Sequence, residues 1–203
     1  MLTVAIQAGG ESRRMGQDKG LVPFLGQPLI QRVTGRLAPI ADEILITTNH
    51  PQSYGFLKLR LEPDLIPGRG ALGGLYTALS AAAQPFVAVV ACDMPFANPQ
   101  LLRAGLDLLL TTQADLAIPQ TATGMQPFHA VYRRATCLPA IRQALEAGKW
   151  RADAWYEQVA VQRLSEQEIA EHDPQGISFW NINTPEDLLA AEEYARGRHP
   201  RQA

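Results

Sequence analysis

The chain is poor in residues that staple a fold or hold a metal. Only two cysteines, Cys92 and Cys137, occur in 203 residues. Two thiols make neither a disulfide framework nor a zinc site, and they fit a reducing cytoplasm. The histidines His50, His129, His172 and His199 share no spacing that marks a metal site. No apolar run approaches the roughly 18 residues that span a bilayer. The opening MLTVAIQAGG lacks the basic flank of a secretory signal. Lysine and arginine total 18 against 20 acids, for a formal net charge of -2. The basic excess of a general nucleic-acid binder is therefore missing. Two common phosphate loops are missing too. Gly10 and Gly16 have five residues between them, and Gln17 stands where a Walker A loop needs lysine. The dinucleotide fingerprint G-x-G-x-x-G is also absent.

What remains is an ordinary globular composition, 46% hydrophobic and 19% charged. The length suits one domain over 1–203, with a frayed tail from about 197. Runs rich in Val, Ile and aromatics at 2–7, 43–48, 86–91, 115–119 and 128–132 read as strands. Helical spacing of apolar residues falls at 28–38, 72–83 and 98–111. A last helix opens within NTPEDLLAAEEYA (183–195), with Thr184 as N-cap, Pro185 first and acids in the first turn. Strands alternating with helices predict an α/β fold: a doubly wound, Rossmann-like αβα sandwich on a mostly parallel sheet. The unbroken apolar run 86–91 predicts a central strand covered on both faces.

Ligands of such sheets bind outside the carboxyl ends of the strands. AGGESRRMGQDK (8–19) follows the first strand and combines exposed glycine amides with Arg13, Arg14 and Lys19. That combination points to phosphate. Asp93 lies just past the end of strand 86–91, where a carboxylate can hold a hard cation. Read alone, it serves equally as a turn residue before Pro95. Cys92 beside it has no assigned base and reads as a small strand-end residue. In PDLIPGRGALGGLYTAL (63–79) a glycine-rich loop leads into a helix whose N-terminus offers free amides. Asn181 and Asn183 fall on the same side of an extended segment.

AGGESRRMGQDK resembles the signature of nucleotidyltransferases that activate sugars, alditols and pterins. A-G-G followed by R-M-G-x-D-K is most similar to the molybdenum cofactor guanylyltransferases, and later motifs follow in order along nearly the whole chain. Gln7 departs from the pattern, which usually has an apolar residue there. The resemblance implies transfer of GMP from GTP to the terminal phosphate of molybdopterin, with release of pyrophosphate. It implies Mg²⁺ on Asp93, through the C-D-x-P motif, and catalytic roles for Arg14, Lys19 and Asp93. Ala8, Gly9, Gly10, Arg14, Lys19, Asp64, Gly73 and Asp93 would bind the nucleotide, Asp64 facing the N1–H and N2–H₂ donors of guanine. Asn181 and Asn183 of NINTPEDL would serve the pterin acceptor, with Arg151 a further acceptor contact. His129 falls at a variable position of GMQPFHAVY and reads as structural. The implied partners are GTP, molybdopterin and, transiently, other proteins of molybdenum cofactor biosynthesis, with no nucleic acid and no membrane. Three alternatives stand beside this reading. They are a molybdopterin cytidylyltransferase, against which A-G-G in place of A-A-G argues, a sugar-phosphate nucleotidyltransferase, and a nucleotide-binding regulator without turnover.

Overall fold

The computed structural model describes residues 1–9 and 18–197. In chain order the strands are β1 (Leu2–Gln7), β2 (Pro23–Phe24), β3 (Gln27–Pro28), β4 (Glu43–Thr47), β5 (Arg60–Glu62), β6 (Phe86–Ala91), β7 (Leu116–Thr121), β8 (Gly124–Met125), β9 (His129–Arg133) and β10 (Val161–Leu164). The helices are α1 (Leu29–Leu37), α2 (Pro51–Tyr54), α3 (Gly70–Ala81), α4 (Pro99–Thr112), α5 (Arg134–Glu146), α6 (Glu166–His172) and α7 (Pro185–Ala195).

The main sheet runs β10-β7-β9-β6-β1-β4-β5, with β8 paired to β7, while β2 and β3 form a separate hairpin. β5, β4, β1 and β6 are mutually parallel, as are β7 and β10. The expected mostly parallel sheet is present, and the apolar run 86–91 lies in its centre between β1 and β9. β9 alone in the main path runs the other way, antiparallel to both β6 and β7. Residues 122–128 explain this. They hold only two tight turns and the short strand β8, which Gly124 opens at φ 118. A parallel return needs a crossover of about a dozen residues or more.

Both faces of the sheet are buried. On β1, Leu2, Val4 and Ile6 join α1 and α4 in one core, with Ile30, Val33 and Leu101 among its members. Ala5 faces the opposite core of α3 and α5, which includes Leu75, Ile141 and Trp155. The period-two alternation of a strand thus feeds two layers of helices. α4 is capped by Asn98, whose side chain accepts from the amides of Gln100 and Leu101. α7 is capped as its sequence predicts, by a reciprocal box of Thr184 and Asp187 with Pro185 at the first turn. α5 was not expected from the residue pattern, and it carries Pro139 inside its span.

A third, smaller core joins distant segments. Val22, Phe24, Leu29, Phe96, Ile182 and Ala191 are buried together, with Trp180 and Tyr194 packed against them. Phe96 makes edge-on ring contacts with Phe24 at 6.0 Å and Tyr194 at 5.4 Å between centroids.

Candidate nucleotide site

That third core decides where Lys19, Asp93 and Asn183 meet. Val22 follows Lys19, Phe96 follows Asp93, and Ile182 precedes Asn183. Packing these apolar neighbours brings their polar companions to one place. The backbone adds a clip, because the Ile182 amide donates to the Asp93 carbonyl at 2.9 Å. Lys19 Nζ then donates to Asp93 Oδ2 at 2.8 Å and to Asn183 Oδ1 at 2.6 Å. Three segments more than seventy residues apart in pairs converge on one ammonium. Asn183 is itself fixed, its amide donating to the capping carboxylate of Asp187 at 2.9 Å.

A cavity of about 370 Å³ opens beside this trio at the carboxyl ends of β1, β4 and β6. One side of it carries Asp18, Lys19 and Asp93, and the rest of its lining includes Gln7, Thr47, Asp64 and the start of α3. Ala8 and Gly9 line it as well. Ala8 is anchored by its amide to the Thr47 carbonyl at 2.9 Å. Asp64 is held by a reciprocal pair with Asn49. Asn49 Nδ2 donates to Asp64 Oδ2 at 2.8 Å, and the Asp64 amide donates to Asn49 Oδ1 at 3.1 Å.

Several expected residues fall elsewhere. Gly10, Arg13 and Arg14 lie outside the described residues. Gly73 is buried behind the cavity wall. A Cβ there would sit 2.9 Å from Arg69 Cβ and 3.1 Å from the Ile66 carbonyl, so close packing accounts for this glycine. Its neighbours Gly70, Ala71 and Gly74 line the cavity instead. Asn181 turns back to the Phe179 carbonyl at 2.9 Å, whereas Asn183 reaches Lys19. Arg151 is an exposed residue in a bidentate pair with Asp153, at 3.0 and 2.7 Å, and lines separate surface hollows. Sequence reasoning did not single out Asn49, Thr47 or Asp18. The signal for the first two was their position at the end of β4, where ligands of such sheets bind.

The titratable groups sort by role. Burial pushes the Cys92 thiol well above its ordinary range, with Asp93 and Asp18 adding to the effect. It is no thiolate nucleophile. Burial lowers His129 to about 4. Its Nε2 accepts from the Asn98 amide at 2.9 Å, and its ring stands edge-on to Phe179, a structural placement.

Asp93 is the side chain suited to a cation. Oδ2 takes the lysine, while Oδ1 is buried without a hydrogen-bond partner. A buried carboxylate oxygen left without a donor is costly unless something positive meets it. Among the described residues no group of three or more His, Cys, Asp or Glu could hold a metal. One carboxylate completed by phosphate oxygens and water is the pattern Mg²⁺ accepts.

Known proteins resemble this chain over most of its length. The family described as the MobA-like NTP transferase domain matches residues 4–163. A probable molybdenum cofactor guanylyltransferase of Pelotomaculum thermopropionicum is 38% identical, covering 95% of this chain and 93% of its own. The molybdenum cofactor guanylyltransferase of Desulfosudis oleivorans is 34% identical, with 94% of each chain covered. The crystal structure of molybdopterin-guanine dinucleotide biosynthesis protein A from Archaeoglobus fulgidus superposes with a TM-score of 0.83 at 27% identity, covering 96% of this chain and 99% of its own.

Proposed function

The chain belongs to the MobA-like NTP transferase family, and from that premise we propose that it transfers GMP from GTP to the terminal phosphate of molybdopterin. An oxygen of the acceptor phosphate attacks the α-phosphorus of GTP. The bond from that phosphorus to the bridging oxygen breaks, pyrophosphate leaves, and molybdopterin guanine dinucleotide forms. The observation that carries this reading is the convergence of Lys19, Asp93 and Asn183, the first two of which line the cavity.

The acceptor phosphate is anionic near neutral pH, so the protein need supply no general base. Its own task is positioning and charge neutralisation. Lys19 exchanges part of its pairing with Asp93 for the triphosphate. Asn183, released from the ammonium, then faces the acceptor. Asp64 accepts from the paired N1–H and N2–H₂ donors of guanine, donors that cytosine lacks. Asp93 would hold Mg²⁺, which when bound neutralises charge on the reacting phosphate and the departing pyrophosphate. Arg14, outside the described residues, would add positive charge for the triphosphate. Among the described residues no helix is long and apolar enough to cross a membrane. Cys92 and Cys137 are both free and buried, which suits a cytoplasmic enzyme receiving its acceptor from other proteins of the pathway.

Thermal unfolding with GTP, CTP, ATP and UTP, each with Mg²⁺, tests the nucleotide. A ligand at a hundred times its Kd stabilises the fold by about 2.7 kcal/mol. A shift with GTP alone, followed by pyrophosphate release on adding molybdopterin, is the expected result. A preference for CTP would make the chain a cytidylyltransferase, and binding without pyrophosphate release would make it a regulator.

A further inference from the structure

We propose that Tyr54 is a positioning residue for Lys19, acting through Asp18. The inference rests on the functional reading above, in which Lys19 acts on the triphosphate.

Tyr54 ends α2, and its side chain is fully buried in the core beneath α1. A phenol so deep in an apolar core needs a partner for its hydroxyl. It finds one in Asp18, donating to Oδ1. The same oxygen accepts the Gly20 amide at 3.1 Å. One phenol therefore governs the residues on both sides of Lys19. The contact with Gly20 is also steric. A Cβ at Gly20 would stand 2.6 Å from the Tyr54 hydroxyl, so any larger residue there must push the phenol aside. Burial and the neighbouring carboxylate both raise the pKa of this phenol, so it is a donor at neutral pH.

The consequence falls on Lys19. Its side chain is long and flexible, and its Nζ must reach Asp93 and Asn183 across two other segments. Ordering such a chain costs rotamer entropy. Fixing the backbone at Asp18 and Gly20 limits where Nζ can go. The backbone beyond is already wound into a short 3-10 turn, with the Leu21 amide on the Asp18 carbonyl at 3.0 Å. Tyr54 touches neither cavity nor reacting atoms. Its effect is on the ammonium's location.

A merely structural role predicts a different outcome, so a double-mutant cycle decides between them. Y54F keeps the ring and the core and removes only the hydroxyl. G20A keeps the hydroxyl and pushes it off Asp18. In each variant kcat for pyrophosphate release falls about tenfold, on the scale expected when a reacting group is slightly misplaced, while the KM for GTP changes less than about twofold. On a Lys19→Ala background, Y54F causes no further loss. An equal loss from Y54F with and without Lys19, or wild-type kcat in both Y54F and G20A, overturns the proposal.

A second readout needs no turnover. Acetylation of folded protein by acetic anhydride, followed residue by residue by mass spectrometry, reports how firmly Nζ is held. Lys19 reacts faster in Y54F than in the wild type, while Lys58 and Lys149 keep their rates. An unchanged Lys19 rate sinks the positioning role. A wild-type protein that releases no pyrophosphate with any nucleotide sinks the functional reading instead, and leaves the acetylation result to judge Tyr54.

Discussion

The two ends of the cavity are built on different terms. At the Lys19 end, three segments from the start, middle and end of the chain are tied by ionic hydrogen bonds and by a dedicated apolar cluster behind them. At the Asp64 end, one reciprocal amide–carboxylate pair joins two neighbouring strand ends, and the wall is the first turn of α3. The first arrangement is preorganised, with charges placed before any ligand arrives. The second is local and replaceable. Phosphate chemistry needs fixed charge at a fixed point. Choosing a base needs only a few donors and acceptors, which can change without disturbing the fold.

The largest effects should therefore come from the Lys19 end. Asp93→Ala should reduce transfer by about 10³-fold or more, the scale on which charge neutralisation at a reacting phosphate acts. The fold should persist. The clip between strand end and C-terminal segment uses the Asp93 carbonyl rather than its side chain, and a partly exposed ion pair contributes only about 0–1 kcal/mol. Near wild-type turnover of Asp93→Ala in Mg²⁺ would remove the metal role. Lys19→Ala should lower kcat by about 10², the value of one preorganised charge donor. If it raised only the KM for GTP, the lysine would be a ground-state contact instead.

The Asp64 end should respond in selectivity rather than in rate. In the proposed role Asp64→Ala would remove the acceptor for two base donors, and hydrogen bonds to charged groups are worth about 1.5–3 kcal/mol. The ratio of GTP to CTP affinity should fall by about tenfold, with kcat for bound GTP little changed. Titrating both nucleotides by calorimetry gives the ratio directly, and an unchanged ratio would remove Asp64 from base reading.

The same contrast governs what the sequence alone made legible. The parallel frame could be read because β1, β4, β6 and β7 stand out as apolar runs and α1, α3 and α4 show helical spacing. The cap of α7 could be read because Thr184, Pro185 and Asp187 are local chemistry. The reversal of β9 was missed, since its clue lies in a connection too short for a crossover rather than in any residue of the strand. α5 escaped because Pro139 interrupts its pattern. Within the site, Lys19 and Asp93 stood out by residue type and position after a strand. Their meeting with Asn183 was not visible, because it depends on Phe96, Ile182 and Val22 packing together across the chain. The separation of Gly73 from Gly74 was equally invisible. Adjacent glycines look alike in sequence, and only the turn of a helix tells which one faces the ligand.

Gln7 offers the smallest effect and the sharpest look at the looser end. It closes β1, lines the cavity, and rests its carboxamide against Gly74, where a Cβ would lie 3.2 Å from Oε1. Its Nε2 is buried without an acceptor. An unpaired buried donor gives up hydration and gains nothing in exchange, at about 1–3 kcal/mol. Gln7→Met keeps the length and flexibility of the side chain and removes both polar atoms, and a thioether packs readily on the bare glycine. The ligand-free protein should gain about 1 kcal/mol in chemical denaturation, seen as a higher midpoint at unchanged slope. A loss of stability would mean that the amide is already satisfied, and that this end of the cavity is as fully wired as the other.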